Sequence, residues 1–236
     1  EGITFTTQKT KPYIETAPVL SGTYGETLKA MIQSGNAKVV TAEGSEIVLT
    51  GTWSVTNAAQ EAVYPAYKDT QAYSLTFTPT GAGAEKYGTV DCEVVPQVAQ
   101  KEITVGIQRV TRRYGDIDSA FGYIVKPNEL APCDTEKDLG IVLTTDANRM
   151  SRVGTYKING SWNNENYRVN FMGLDSSDNW SIPGHGELVI TRTVNTFVTL
   201  LSCADYTYNG NTPRPLAAAK FGVTEYLYAA KTGETE

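Results

Sequence analysis

"RRYGDIDSAFGYIV", residues 112–125, sets the turn Tyr114-Gly115-Asp116 directly ahead of an apolar, strand-like run. Ninety residues earlier, "SGTYGETL" (21–28) carries Tyr24-Gly25 in the same kind of neighbourhood. Glycine tolerates φ > 0, and a tyrosine packs its ring on a core while its hydroxyl stays wet. Backbone need therefore explains each turn, and the recurrence reads as the stamp of a repeated module rather than a ligand contact.

Working outward, the same order of landmarks follows both turns. After Tyr24-Gly25 come "GTWSV" (51–55), "YSLTF" (73–77) and a closing strand through Val98; after Tyr114-Gly115 come "GTYKI" (154–158), "YRVNF" (167–171) and a closing strand through Val194. The spacing from Tyr-Gly to Gly-Thr-aromatic is 27 residues in the first copy and 40 in the second, so loop length differs while order is kept. The spacing predicts two diverged modules, 1–99 and 100–192, with a boundary near Gln100. Residues 193–236, with the Asn209-Gly210 hairpin signal, read as the start of a third, truncated module.

Thr, Tyr and Val fill the apolar and semi-polar positions, and these types suit a pleated, half-buried surface. Residues 46–55, 73–79, 88–98, 102–110, 154–162, 167–173 and 187–194 alternate with period two between Gly, Pro, Asn or Asp boundaries. The expected fold class is mainly β: tandem small β-sandwich or β-grasp-like modules, with one short helix in the first. That helix is expected over 25–35, where Leu28, Met31 and Ile32 fall at i, i+3, i+4 and Gly35 supplies a stop.

A net charge of −6 without a basic block argues against nucleic acid and against an anionic membrane surface. No apolar run is long enough to cross a bilayer as a helix, and "EGITFTTQ" at the start lacks the features of an export signal, so the chain reads as a piece of something longer. Cys92, Cys133 and Cys203 are odd in number and widely spaced, which disfavours zinc and a disulfide framework; they read as packed thiols, with one bridge, Cys133 to Cys203, left open.

With Tyr-Gly-Asp, "VGTYKI" (153–158), "NYRVNF" (166–171) and "GELVITR" (186–192), the second module resembles the MBG domain of YGX type, found in tandem arrays on large bacterial surface proteins. The first hundred residues, with "TYGETL", "GTWSV", "TFTPT" and "KYGTVDCEV", are similar to the Ig-like repeats accompanying such domains in Gram-positive gut bacteria, and "YTYNGNTPRP" is similar to the opening of another. The insertions "KPNELAPCDTEKDLG" (126–140) and "LDSSDNWSIPGHG" (174–186) depart from the pattern. The resemblance implies an extracellular, surface- or wall-attached stalk or adhesin spacer without catalytic residues or cofactors.

Other chemistries are weighed against that reading. The lone histidine, His185 between two glycines, reads as a turn residue rather than part of a Ser-His-Asp set. "TGAGAEKYG" (80–88) lacks the Lys-Ser/Thr ending of a phosphate loop and reads as a hairpin loop. Asp175, Asp178 and Asn179 offer hard oxygen ligands for calcium, though an acidic turn is the preferred reading. Of Trp53, Trp162 and Trp180, only Trp180 reads as exposed, so a lectin-like alternative rests on Trp180, Asn179 and Asp178. A glycoside hydrolase is the second alternative, disfavoured because it needs two carboxylates at fixed separation in a cleft. Expected partners are a host or bacterial glycan or a surface protein, with sheet-edge pairing or swapping through 205–230.

Overall fold

The computed structural model describes residues 8–35, 37–41, 47–199 and 218–221. The protein is mainly β. In the first hundred residues the strands are β1 (Tyr13–Thr16), β2 (Val19–Thr23), β3 (Ile32–Gln33), β4 (Lys38–Val40), β5 (Gly51–Val55), β6 (Tyr73–Pro79), β7 (Val90–Val94) and β8 (Gln97–Ala99). Thereafter come β9 (Lys101–Ile107), β10 (Val110–Arg113), β11 (Tyr123–Val125), β12 (Val142–Thr145), β13 (Gly154–Ser161), β14 (Tyr167–Leu174), β15 (Trp180–Pro183) and β16 (Gly186–Thr191). Two short strands, β17 (Phe197–Thr199) and β18 (Ala218–Ala219), pair antiparallel beyond them.

Period-two patterning lays down these strands. In β6, Tyr73, Leu75, Phe77 and Pro79 turn inward while Ser74, Thr76 and Thr78 alternate with them. β6 sits between β5 and β7 in an antiparallel sheet, with Trp53 opposite Phe77 and Leu75 opposite Cys92. A second sheet has the order β3-β2-β8 and a third is the pair β1-β4. After residue 100 the strands form two four-stranded sheets, β11-β9-β14-β15 and β10-β16-β13-β12. Ile107 and Phe171 of the former pack with Ile158, Leu188 and Ile190 of the latter.

Parallel pairs join strands that lie far apart in the chain. β2 runs parallel to β8, β9 to β14, and β10 to β16. Parallel neighbours require long crossovers, so these contacts tie together residues some seventy positions apart.

Three expectations are corrected. The helix over 25–35 is not formed: Thr27–Met31 make tight turns, with the N–H of Ala30 and of Met31 donating to the Thr27 carbonyl, and Ile32–Gln33 pair with β2 as a strand. Leu28 and Met31 are fully buried as the periodicity requires, but a sheet rather than a helix face buries them. The short α-helix of this half lies instead at Gly83–Lys86, inside the loop 80–88. The strands read at 88–98 and 102–110 each break in two. Pro96, which cannot donate to a ladder, interrupts the first, and Gln108-Arg109 passes the chain from one four-stranded sheet to the other.

At Gln100 the core does not divide. Leu20, Tyr24, Leu28, Val55, Leu75 and Val98 belong to one cluster with Ile103, Val105, Ala131, Leu139, Tyr167 and Val169.

Candidate functional site

Residues 174–180 form a tight loop between β14 and β15, organised by one carboxylate. Asp175 Oδ1 accepts from the backbone N–H of Ser177 (2.7 Å) and of Asn179 (3.0 Å), and the Asn179 side-chain amide donates to both carboxylate oxygens. Those bonds, from the Asn179 amide first, hold the Asp175 carboxyl below its ordinary range. The Asp175 carboxylate is thus the internal anchor of an Asx turn. Asp178 is exposed, in the left-handed region at φ 59°. Asp175 and Asp178 line a groove of about 400 Å³ together with Gln108, Arg109, Thr111 and Gly122. Among the described residues no His, Cys, Asp and Glu cluster suits a metal ion.

The three residues of the lectin alternative are turned to different tasks. Asp178 faces the groove and the Asn179 amide is spent on Asp175. Trp180 opens β15 half-buried; its ring lies on Gly106, about 3.0 Å from where a Cβ would stand. The expectation of an exposed Trp180 is therefore corrected: a ring flanked by apolar neighbours on adjacent strands packs onto the glycine that makes room for it. The more exposed indole is Trp162, at 40 %, whose Nε1 donates to the Tyr167 carbonyl (3.1 Å). Trp53 joins the core as expected. His185 is half-buried in the turn before β16, and no hydrogen bond ties it to a hydroxyl or carboxylate among the described residues. Cys92 and Cys133 are free thiols; Cys203 lies outside the described residues, as do 205–217 and 222–230 of the expected pairing segment.

Both Tyr-Gly turns are built alike. Gly25 has φ +92° and Gly115 φ +86°, a region that disfavours any side chain. The N–H of Tyr24 donates to the carbonyl of Ala99, and that of Tyr114 to the carbonyl of Thr191, each at 2.9 Å. Each turn is thus bonded to the last residue of the strand that closes its half. Around Gly115, Arg112 is 7 % exposed, pairs with Asp118 and donates through Nη2 to the Asn148 carbonyl (2.7 Å), while Arg149 Nε donates to the Gly115 carbonyl (2.5 Å). Sequence reasoning missed Arg112, although its place three residues from the turn glycine, on the inward face of a strand, was a usable signal.

Around the first turn, Tyr24 Oη donates to Asp134 Oδ2 (3.0 Å), and Tyr167 Oη donates to the same oxygen (2.7 Å). Tyr167 Oη also accepts from the buried N–H of Ala131 (3.1 Å), and Cys133 Sγ donates to Tyr24 Oη (3.6 Å). Burial first, then the hydrogen bond to Asp134, pushes the Tyr167 phenol above its ordinary value; burial leads the rise at Tyr24 too, followed by Cys133 and Asp134. Both phenols stay protonated donors. The arrangement is a part-buried tie between distant segments.

Residues 103–173 match the family model of the MBG domain of YGX type. The match starts in β9, includes Tyr114-Gly115-Asp116 and ends in β14, leaving β15 and β16 outside it. No curated protein matches the chain. The MBG domain is a repeat-type module of surface proteins, which is compatible with a non-catalytic role.

Proposed function

We propose that the chain is a force-bearing spacer in an extracellular, surface- or wall-attached protein: two β modules, 1–99 and 100–192, with a third beginning after them. The observation that carries this reading is the parallel pairing, in each half, of the closing strand with the second strand of that half. In a parallel pair, the N-terminal end of one strand and the C-terminal end of the other lie at opposite poles. A pull entering ahead of β10 and leaving after β16 therefore draws the two strands past each other and loads their hydrogen bonds together. β2 and β8 stand in the same relation. An antiparallel arrangement would place both ends at one pole and open one bond at a time.

The lectin-like alternative has less behind it, because the groove beside Asp178 has no aromatic residue in its lining. Single-molecule extension of the whole chain, held at its two ends, tests the spacer reading. The expected trace shows distinct force peaks, with release of residues 101–191 lengthening the chain by roughly 300 Å at about 3.5 Å per residue. Featureless extension at low force would overturn it, and glycan binding abolished by Trp180→Ala would replace it with the lectin reading.

A further inference from the structure

We infer that each Tyr-Gly turn is the seat on which the following stretch of the same chain docks, so that successive modules are joined rigidly rather than strung on free linkers. This rests on the tandem-module reading above, and extends it from how a module bears load to how one module is fixed to the next.

Four observations coincide at both turns. Each turn tyrosine is hydrogen-bonded to the carbonyl of the last residue of its closing strand, Ala99 or Thr191, so the seat lies where the chain leaves for the next segment. Each turn glycine is covered by a side chain from beyond that exit. Ala131 and Pro132 stand over Gly25, with Ala131 Cβ 2.9 Å from the position a Cβ would take, and the Phe221 ring stands over Gly115. Each turn tyrosine meets an aromatic ring from beyond the exit edge-on: Tyr24 and Tyr167 at 5.4 Å and 82°, Tyr114 and Phe221 at 5.1 Å and 72°. Finally, polar bonds stand at each joint, between turn and incoming segment at the first and inside the incoming segment at the second. At the first, Asp134 holds both tyrosine hydroxyls. At the second, Asn195 clasps the Phe221 backbone, its Nδ2 donating to the carbonyl (2.7 Å) and its Oδ1 accepting from the N–H (3.1 Å).

These facts assign a common reason to the Tyr-Gly pair. Glycine is required twice over, for the left-handed backbone and because the neighbouring segment occupies the space of a side chain. The tyrosine presents a ring edge or face to the incoming aromatic, a geometry that aromatic pairs favour. The occupant is the next part of the same chain.

Hydrogen–deuterium exchange on the whole chain tests the inference, with Asp134→Ala and Phe221→Ala as separate variants and Asp134→Asn as a milder form of the first. Loss of an edge-on ring contact is expected to speed exchange of the seat's turn about five- to tenfold. Phe221→Ala should do so in peptides covering 113–116 and leave 22–27 unchanged; Asp134→Ala should do the reverse. Unchanged exchange at both turns would overturn the inference. Exchange rising evenly along the whole chain would overturn it as well, since the residues would then be general core and not a joint. If the spacer reading fails while the joint holds, the force peaks are absent but each variant still loosens only its own turn.

Discussion

Replacing Tyr167 by Phe removes one oxygen atom, and the structure says what that oxygen holds. Tyr167 is fully buried, and its hydroxyl both accepts from the Ala131 N–H and donates to Asp134 Oδ2. Ala131 is 2 % exposed, so its orphaned N–H would have no water to turn to, at about 1–3 kcal/mol. The lost bond to a carboxylate adds about 1.5 kcal/mol, the low end for charged partners, because Asp134 keeps the Tyr24 hydroxyl. The expected destabilisation is therefore about 2.5–4.5 kcal/mol. Tyr24→Phe deletes a donor to the same oxygen but orphans no buried N–H, and should cost about 1.5 kcal/mol. Urea unfolding of both variants, and of the double variant, measures the difference, with m-values expected to stay unchanged. The double variant should deviate from additivity by about 0.5–1 kcal/mol, since the two hydroxyls share one acceptor. Equal costs for the two single variants, or a cost below about 1 kcal/mol for Tyr167→Phe, would refute the assignment of Tyr167 as the two-way tie.

Further outcomes follow from the same structure. Burial, the leading cause in each case, raises the phenols of Tyr24, Tyr73, Tyr123 and Tyr167, so their contribution is fully present below the ordinary tyrosine value near 10 and is lost as pH rises above it. Each tyrosine that ionises only on unfolding steepens the fall by about 1.4 kcal/mol per pH unit, which chemical denaturation from pH 9 to 12 reads directly. Trp180→Ala should cost about 1.5–2.5 kcal/mol, more than a surface aromatic, because the ring covers Gly106; a change within about 0.5 kcal/mol would mean that it does not pack there. Residues 100–192 expressed alone should be less stable than in the whole chain, with Ile103, Val105 and Tyr167 losing neighbours across Gln100; identical midpoints would show that the shared cluster contributes nothing.

Much of the β content was legible because period-two alternation is local. β6, β13, β14 and β16 lie close to the stretches whose apolar residues alternate. What was not legible depends on partners distant in sequence. Leu28, Met31 and Ile32 carry helical spacing, yet Ile32 faces Leu20 across a ladder, and a ladder with β2 outweighs a short helix that would have to stand alone. β1, β2, β10 and β15 are short, four or five residues each, and they become strands through the neighbour each one meets. At the candidate site, the sequence reads Asp175, Asp178 and Asn179 as one polar turn, but the direction in which each side chain is spent is a property of the loop's closure. Asp175 and Asn179 satisfy each other, and no spacing rule reveals that.

The segment 126–140 is where the parts of the chain before and after Gln100 are joined. It supplies Ala131 and Pro132 over Gly25, Asp134 between the two tyrosines and Leu139 to the common core. Its own folding is secured at both ends. Glu129 accepts from the Thr104 N–H and pairs with Lys126 (3.2 Å); burial alone would raise its carboxyl, but these partners outweigh burial and hold it below the ordinary range. Thr135 and Asp138 form a capping box ahead of a short 3-10 turn that ends at Gly140 in the left-handed region. A loop that served only to connect β11 to β12 would gain nothing from a buried leucine or from a carboxylate turned toward Tyr24. Residues 126–140 thus supply a surface that seats one half of the chain on the other.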